Sequence, residues 1–565
     1  MKYSEIIKKN KLLEQNPNKN SYEIVVFSNI MVHQLKDIEE YSLRSSGINA
    51  NITLGDYDNI LQDSLQYKNS NAIIIFWELY NLIDGLQYRI ELLSNEDYQD
   101  LISKTKTEIK MVFDNLKNIP LVIINKFSTI IFEQNNLNTT RLEELALILN
   151  SYVSSIQPTN MTIIDIDKII ANVSINNSID LRHYYSSKTL YSIAFYKEYT
   201  KYIKPIFQAV NGKTKKALIF DCDNTLWKGI LGEDGFDKIK IFTEIQYLAV
   251  ALAKQGVIIG LCSKNNPEDV DDVLENHKDM ILKDNDIVIK KVNWTDKATN
   301  LQAIAKELNI GLDSFVFVDD SNFEVNLIKE KLPMVEVVQV PHKEHEYSLL
   351  LREVRNLFYN PTQTYEDLKK VAMYKAQVQR VQEEENIGNI EDYLKSLELN
   401  ITVYKDDIAH LQRVSQMTQK TNQFNLTTKR YTENDIKSFI ESSDKMVVAI
   451  GVNDKFGDNG IVGLVIIDLL DKYAVIDTLL MSCRVLGRNI EYKLMDIIID
   501  NIKRKNINII KAEYIPTYKN KQVEELFEKY GFGLLEKSDE SKQYQLDVND
   551  YTYTETNYIK VTDGN

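Results

Sequence analysis

The sequence predicts an α/β chain of three domains, two built on parallel sheets and a third of α+β type. Three observations support this. A chain of 565 residues has room for three or four domains at about 100–200 residues each. Through the first two thirds, short apolar runs alternate with helix-length segments of mixed polarity, the rhythm of strand–helix–strand crossovers. In the last third, strands follow one another before the helices come, as in α+β domains.

The first domain is read as residues 1–210. Its strand-like runs are 23–28, 72–77, 121–125 and 161–166, and a Tyr-rich helical stretch from 187 to 209 closes it. The polar string Asn211-Gly-Lys-Thr-Lys-Lys216 is the link. The second domain, 211–365, opens on strand 217–220, continues with runs 257–262, 286–292, 315–319 and 335–340, and ends near Pro361. A charged helix over 365–385 leads into the third domain, 366–565. Its strands are 400–404, 446–452, 460–468 and 473–480, then a helix over 489–503, a strand over 509–514, a helix over 521–530 and a polar strand near Tyr544.

Composition narrows the function. Lys and Arg number 67 against 82 Asp and Glu, a net charge of −15, which makes nucleic acid a poor general partner. Cys222, Cys262 and Cys483 lie far apart without CxxC spacing, so neither a disulfide framework nor a cysteine zinc site is expected, and a reducing compartment fits. There is no apolar run of transmembrane length, and residues 1–20 are polar and Lys-rich rather than signal-like. The expectation is a soluble cytoplasmic protein with neither membrane nor nucleic acid as partner.

The sharpest local pattern is Phe220-Asp-Cys-Asp-Asn-Thr-Leu226, directly after an apolar strand. Chemistry in parallel sheets gathers at the carboxyl ends of strands. Asp221 is placed to attack phosphorus, and Asp223 to give and take the proton of leaving group and water. Ser263, Lys264 and Asn265 end the second strand, with Thr225 as a further phosphate contact. Lys297 in Trp294-Thr-Asp-Lys297 can neutralise developing charge. Asp319 and Asp320 end the strand Val316-Phe-Val318, with Glu324 one turn on. Oxygen ligands of this kind suit Mg²⁺. Cys222 reads as a packed side chain.

This order and strand placement resemble the haloacid dehalogenase (HAD) superfamily of phosphotransferases over residues 216–341. The resemblance implies an aspartyl-phosphate on Asp221, acid/base catalysis by Asp223, and Mg²⁺ held by Asp221, Asp319, Asp320 and the main-chain carbonyl of Asp223. The short intervals from Asp223 to Ser263 and from Ser263 to Lys297 leave no room for an inserted cap, so an open entrance suited to a large or tethered substrate is expected.

Longer strings carry a closer resemblance: Thr225-Leu-Trp-Lys-Gly-Ile-Leu-Gly-Glu-Asp-Gly235, Gln419-Lys-Thr-Asn-Gln-Phe-Asn-Leu-Thr-Thr-Lys-Arg-Tyr431, Asp454-Lys-Phe-Gly-Asp-Asn-Gly-Ile-Val-Gly463 and Ser482-Cys-Arg-Val-Leu-Gly-Arg488. They are similar to the FkbH-like family of polyketide and related pathways, over about 213–532. The resemblance implies transfer of a glyceryl unit from 1,3-bisphosphoglycerate to an acyl-carrier protein, with removal of the 3-phosphate. The last third resembles the GNAT acyltransferase fold, in which a loop opening a helix cradles a coenzyme A pyrophosphate. Here Asn489 replaces the last small residue after Gly487, and Arg484 and Arg488 are read as holding the single phosphate of a phosphopantetheine arm. Cys483, beside a helix start and two Arg, is expected to be a thiolate that takes the phosphoglyceryl group as a thioester. His410 is a candidate base, and Asn422, Asn425 and Arg430 candidate substrate contacts. Lys420 and Lys429, with Arg430, Arg484 and Arg488, are candidates for a basic carrier-docking surface.

The first domain resembles SGNH hydrolases through Ser28 after the first strand and the pair Asp180-Leu-Arg-His183, but Gly-Asp-Ser is absent. A degenerate scaffold or docking domain is the favoured expectation. Two other readings of the whole chain stay open: a Mg²⁺-dependent phosphatase fused to an acetyl-coenzyme A N-acyltransferase, and a non-catalytic carrier-docking scaffold.

Overall fold

The computed structural model describes residues 1–14, 21–133, 137–360, 364–517 and 519–564. They fall into two compact units, one of residues 1–211 with 431–435, the other of 212–430 with 436–565. Pro361, expected at a domain end, lies outside the described residues.

The first unit holds a parallel sheet of β1 (Tyr22–Ser28), β2 (Ala50–Tyr57), β3 (Ala72–Phe76), β4 (Leu121–Asn125) and β5 (Met161–Ile164), in the order β2-β1-β3-β4-β5. Every residue of β3 and β4 is buried, as in a sheet covered on both faces, and their unbroken apolar runs announce this. The sequence reading leaves out β2. It is an edge strand in which only Ala50 and Ile52 are buried, so no apolar run marks it. The Tyr-rich stretch becomes the helix Ile193–Val210 and its approach. Tyr191 stacks on Phe195 with ring centroids 3.8 Å apart, Tyr191 donates to Glu78 at 2.9 Å, and Tyr199 donates to Asn125 at 2.9 Å. The rings supply apolar bulk while the Tyr191 and Tyr199 hydroxyls find buried partners.

Glu39, on the helix His33–Ser45, is fully buried, and neither carboxylate oxygen has a hydrogen-bond partner among the described residues. Burial pushes its pKa up to about 8, against about 4.3 in an unfolded chain. The native chain therefore holds a proton that the unfolded chain releases, and stability falls as pH rises from about 4.3 toward 8. Glu39→Gln should stabilise this unit by roughly 3 kcal/mol at pH 8 and by almost nothing at pH 4. Melting curves of variant and parent at the two pH values check this; an equal offset at both would contradict it.

The second unit holds two large sheets and a separate small hairpin. In chain order come β6 (Ala217–Phe220), the hairpin of β7 (Trp227–Lys228) with β8 (Lys240–Ile241), then β9 (Ile258–Ser263), β10 (Ile289–Val292), β11 (Phe315–Asp319) and β12 (Glu336–Gln339); the first large sheet is built of these strands without the hairpin. The five main strands are all parallel, in the order β10-β9-β6-β11-β12. Between β6 and β9 lie only the hairpin, a short turn of helix and the helix Thr243–Lys254, and between β9 and β10 the helix Pro267–Asn276 and a 3₁₀ turn. No cap is inserted at either place.

The second sheet consists of β13 (Asn400–Lys405), β14 (Lys445–Asp454), β15 (Gly457–Leu469), β16 (Tyr473–Met481), β17 (Ile509–Tyr514), β18 (Gly533–Lys537), β19 (Lys542–Asp547) and β20 (Lys560–Asp563), in the order β18-β19-β17-β16-β15-β14-β13-β20. Strands β13 to β16 are antiparallel neighbours, while β16 and β17 run parallel and pair only from Tyr473–Ile509 to Ile476–Ala512. The helix Tyr365–Ile387 is fastened to the turn between β14 and β15 by Arg380, which donates to both carboxylate oxygens of Asp454 at 2.8 and 2.7 Å. The sequence reading leaves out β18, all of whose residues are exposed, and β20. The helix expected over 521–530 is two short turns, Lys521–Val523 and Leu526–Lys529.

No described helix is long and apolar enough to cross a membrane.

Candidate functional site

The carboxyl ends of β6, β9 and β11 bring the phosphoryl-transfer residues together. Asp221 follows β6 and is almost fully buried; Lys297, at the start of the helix Lys297–Leu308, lies 2.9 Å from Asp221 and 2.6 Å from Asp319. Burial and the neighbouring Asp319 raise the Asp221 pKa to about 7 against the pull of Lys297. Burial opposes the charge on Lys297 as well, but Asp221 and Asp319 outweigh it and hold the ammonium above its usual range. Asp320 is raised by burial and by Asp319.

Carboxylate oxygens of Asp221, Asp319 and Asp320 lie within 4.8 Å of one another. Three hard oxygen donors at that spacing fit Mg²⁺. The side chain of Asp223 is not in this group. It accepts from the Trp227 indole at 2.9 Å, from Leu231 N at 3.0 Å and from Asn265 at 3.0 Å, so the hairpin and the end of β9 fix its orientation. Asn265 also donates to Ser263 at 3.2 Å, and Lys264 pairs with Glu324 at 2.7 Å. The Thr225 hydroxyl is buried without a partner among the described residues. Cys222 is fully buried, and its thiol is pushed well above its usual pKa by burial and then by Asp221, which makes it inert.

A second constellation lies at the opposite, amino-terminal edge of the same sheet. Residues just before β6, β9 and β11 (Lys215, Lys216, Gly256, Val257, Asp313 and Ser314) line a cavity of about 150 Å³ together with Lys370, Tyr374, Arg413, Lys420, Asn422, Cys483 and Arg484. Cys483, half-buried at the end of β16, thus has its place on the wall of a strongly basic hollow. Asn309 donates to its carbonyl at 2.6 Å. Gly256 has φ +87°, and a Cβ there would collide with the Asp367 carbonyl, so only glycine lets the helix Tyr365–Ile387 come this close. Asp367 pairs with Lys370 at 2.5 Å and Lys420 at 3.8 Å; burial would raise its pKa, but the two lysines hold it well below the carboxylate range. Lys420 is pushed down to about 7 by burial and by Lys370.

The remaining candidates are placed as follows. Arg488 is buried against Asp454 at 3.2 Å, Gln377 at 2.7 Å and the Arg484 carbonyl at 2.7 Å, so its guanidinium braces the β14–β15 turn rather than lining the cavity. Gly487 has φ +81°, and Asn489, also left-handed at φ 60°, donates to Tyr558 at 2.8 Å. Lys429 pairs with Asp477 at 2.6 Å. Arg430 donates to the Thr418 carbonyl at 2.8 Å and to Asn422 at 2.5 Å, and Asn422 donates to Gly212 O at 2.8 Å. His410 stands with Asp407 at 2.8 Å and against Tyr404, off the cavity lining. In the first unit, the Ser28 hydroxyl donates to Ile30 O at 2.8 Å and His183 pairs with Asp180 at 2.9 Å; no hydrogen bond joins Ser28 to His183.

Asn425 has a structural task. Beyond Ile476 and Ala512 the strands β16 and β17 diverge, and residues 424–426 lie between them as a short extra strand. Met481 N donates to Phe424 O at 2.9 Å, Leu426 N to Leu479 O at 3.1 Å, and Ile515 N to Leu426 O at 2.8 Å. Asn425 is fully buried, accepting from Thr428 N at 2.9 Å and donating to Thr421 O at 3.1 Å. A gap between splayed strands leaves backbone groups that need partners, and here the chain's own Phe-Asn-Leu segment supplies them.

Lys370, Tyr374 and Arg413 are cavity residues that the sequence reading does not single out. For Arg413 a signal exists: it falls on the buried side of the helix Leu411–Lys420 with Val414 and Met417, and a charge on such a face calls for a partner.

No protein-family model and no curated protein matches the chain. Among solved structures, the N-terminal part of the protein BF1531 from Bacteroides fragilis, which contains a phosphatase domain and was crystallised with Mg, is 24% identical. The match covers 64% of this chain and all of that one, with a TM-score of 0.55. The ribosomal-protein-S18-alanine N-acetyltransferase of Escherichia coli is 11% identical over 28% of this chain and 97% of its own, with a TM-score of 0.21. The N-acetyltransferase PseH of Campylobacter jejuni, solved with acetyl coenzyme A, is 18% identical over 20% of this chain and 74% of its own, with a TM-score of 0.17. The first of these likenesses shows a shared fold.

Proposed function

We propose that this chain is a bifunctional enzyme of acyl transfer and phosphate removal. It takes a phosphoglyceryl unit from 1,3-bisphosphoglycerate, passes it to the phosphopantetheine thiol of an acyl-carrier protein, and hydrolyses the phosphate ester. The observation that carries the reading is Cys483 on the wall of a basic cavity, in the same compact unit as a buried Asp–Lys–Asp phosphatase constellation.

The Cys483 sulfur attacks the acyl carbon of the mixed anhydride. The C–O bond to phosphate breaks, inorganic phosphate leaves with the thiol's proton and a thioester remains. The carrier thiol then attacks that thioester, the C–S bond to Cys483 breaks, and the carrier thiol's proton passes to the departing Cys483 sulfur. At the other edge of the sheet, Asp221 attacks phosphorus, the ester P–O bond breaks, and Asp223 protonates the departing alcohol and then activates the water that hydrolyses the aspartyl-phosphate. Asp221, Asp319 and Asp320 would hold Mg²⁺, which when bound offsets charge on the phosphoryl oxygens. Lys297 adds a fixed cation beside both carboxylates. The absence of an inserted cap over the second unit's own sheet suits a tethered substrate.

The test is intact-protein mass spectrometry of the chain with 1,3-bisphosphoglycerate, Mg²⁺ and a phosphopantetheinylated carrier. A glyceryl mass on the carrier is expected. Acetyl transfer from acetyl coenzyme A to a free amine, with no acyl mass on a cognate carrier, would replace this reading with the N-acyltransferase one. Tight carrier binding with no phosphate release would leave a docking scaffold.

A further inference from the structure

We infer that the cavity beside Cys483 is a phosphate-dianion site, separate from the aspartate centre and built on Arg413, Arg484, Lys370 and Lys420. Arg413 and Arg484 are 8% and 5% exposed. Arg484 donates to Asn459 O at 2.7 Å, and Arg413 to Gln416 at 2.5 Å and Ile461 O at 3.1 Å. All three acceptors are neutral, and among the described residues neither guanidinium touches a carboxylate. The Nε of each is buried with no hydrogen-bond partner among the described residues. Two neighbouring buried cations with unused donors are costly unless an anion joins them. Lys370 and Lys420 share one counter-ion, Asp367, and Lys215 and Lys216 add charge from the edge of the sheet. Arg413 is lowered to about 10 by burial and then by Arg484, a crowding that a bound anion relieves.

Charge selects the ligand. The surplus suits a dianionic phosphomonoester or acyl phosphate better than the singly charged phosphodiester that joins a pantetheine arm to its carrier. The site therefore reads the small donor, and ligands without a dianionic phosphate bind poorly. This extends the proposed transfer reaction by naming what fills the cavity, and it is tested by binding alone.

The full-length chain in EDTA is treated with iodoacetamide, and alkylation of Cys483 is followed by peptide mass. Buried Cys222 and Cys262 serve as internal controls. Inorganic phosphate and 3-phosphoglycerate should each slow Cys483 labelling at least about tenfold, and dimethyl phosphate should not. Protection should be lost in Arg413→Gln and, independently, in Lys420→Gln, with labelling in the absence of phosphate retained. Equal rates with and without phosphate, protection that survives in both variants, protection by dimethyl phosphate equal to that by the monoesters, or a thiol that never labels would each overturn the inference. Phosphate protection in a chain that forms no thioester would keep the anion site and discard the acyl relay.

Discussion

Asp221→Asn should abolish Mg²⁺-dependent phosphate release, lowering it by about 10⁴-fold or more, the scale seen when a covalent nucleophile is removed. Asparagine keeps the shape of the side chain and an oxygen toward Lys297 but cannot attack phosphorus. The fold should persist, because Lys297 still has Asp319 at 2.6 Å as a counter-ion and the surrounding strands are packed on apolar residues such as Phe220, Val318 and Leu261. Release of phosphate from a chromogenic aryl phosphate, beside a melting curve, checks both halves. Loss of less than about tenfold in a well-folded variant would remove Asp221 from the nucleophile role. Lys297→Met makes a useful companion. Without Mg²⁺ it leaves Asp221 facing Asp319 with no cation between, so one of them must take up a proton, and both activity and stability should fall.

This centre was legible in the sequence because Asp221, Ser263 and Asp319 stand at the ends of buried strands. An apolar run followed by Asp221, Ser263 or Asp319 announces both the strand and the residue at its mouth, and parallel topology then converges them. The cavity was legible only in fragments. Its wall comes from the beginnings of three strands, the helix Tyr365–Ile387, the helix carrying Arg413 and the end of β16, elements whose meeting depends on how two sheets pack within one unit. No local period encodes that. The Phe424–Leu426 segment shows the same limit. Its string is distinctive, but that it fills the splay between β16 and β17 follows from the divergence of two strands that lie further along the chain. Arg488 shows it from the other side: loop position suggests a ligand contact, while Asp454, 34 residues away, claims the guanidinium.

Cys483→Ala should remove acyl transfer to the carrier down to background while phosphate release from a simple aryl phosphate stays within about twofold of the parent. The separation is geometric. Cys483 lines a cavity at the amino-terminal edge of the first sheet of the second unit, and Asp221, Ser263 and Asp319 close its carboxyl edge. Strands of four to six residues at about 3.3 Å per residue put roughly 13–20 Å between the two edges, too far for a methyl-sized change to disturb the aspartates. The thiol is small and half-buried, packed against a core that includes Tyr374, so its loss should cost only about 1 kcal/mol. Cys483→Ser sharpens the test. A serine hydroxyl there is a much weaker nucleophile without a base in contact, so a slowly formed, slowly transferred ester mass on the enzyme is expected in place of the thioester. Transfer at the parental rate in the alanine variant would show that the carrier thiol attacks the acyl phosphate directly, with the cavity serving only to hold the donor. Parallel loss of phosphatase activity would show that the two edges are coupled through the sheet between them.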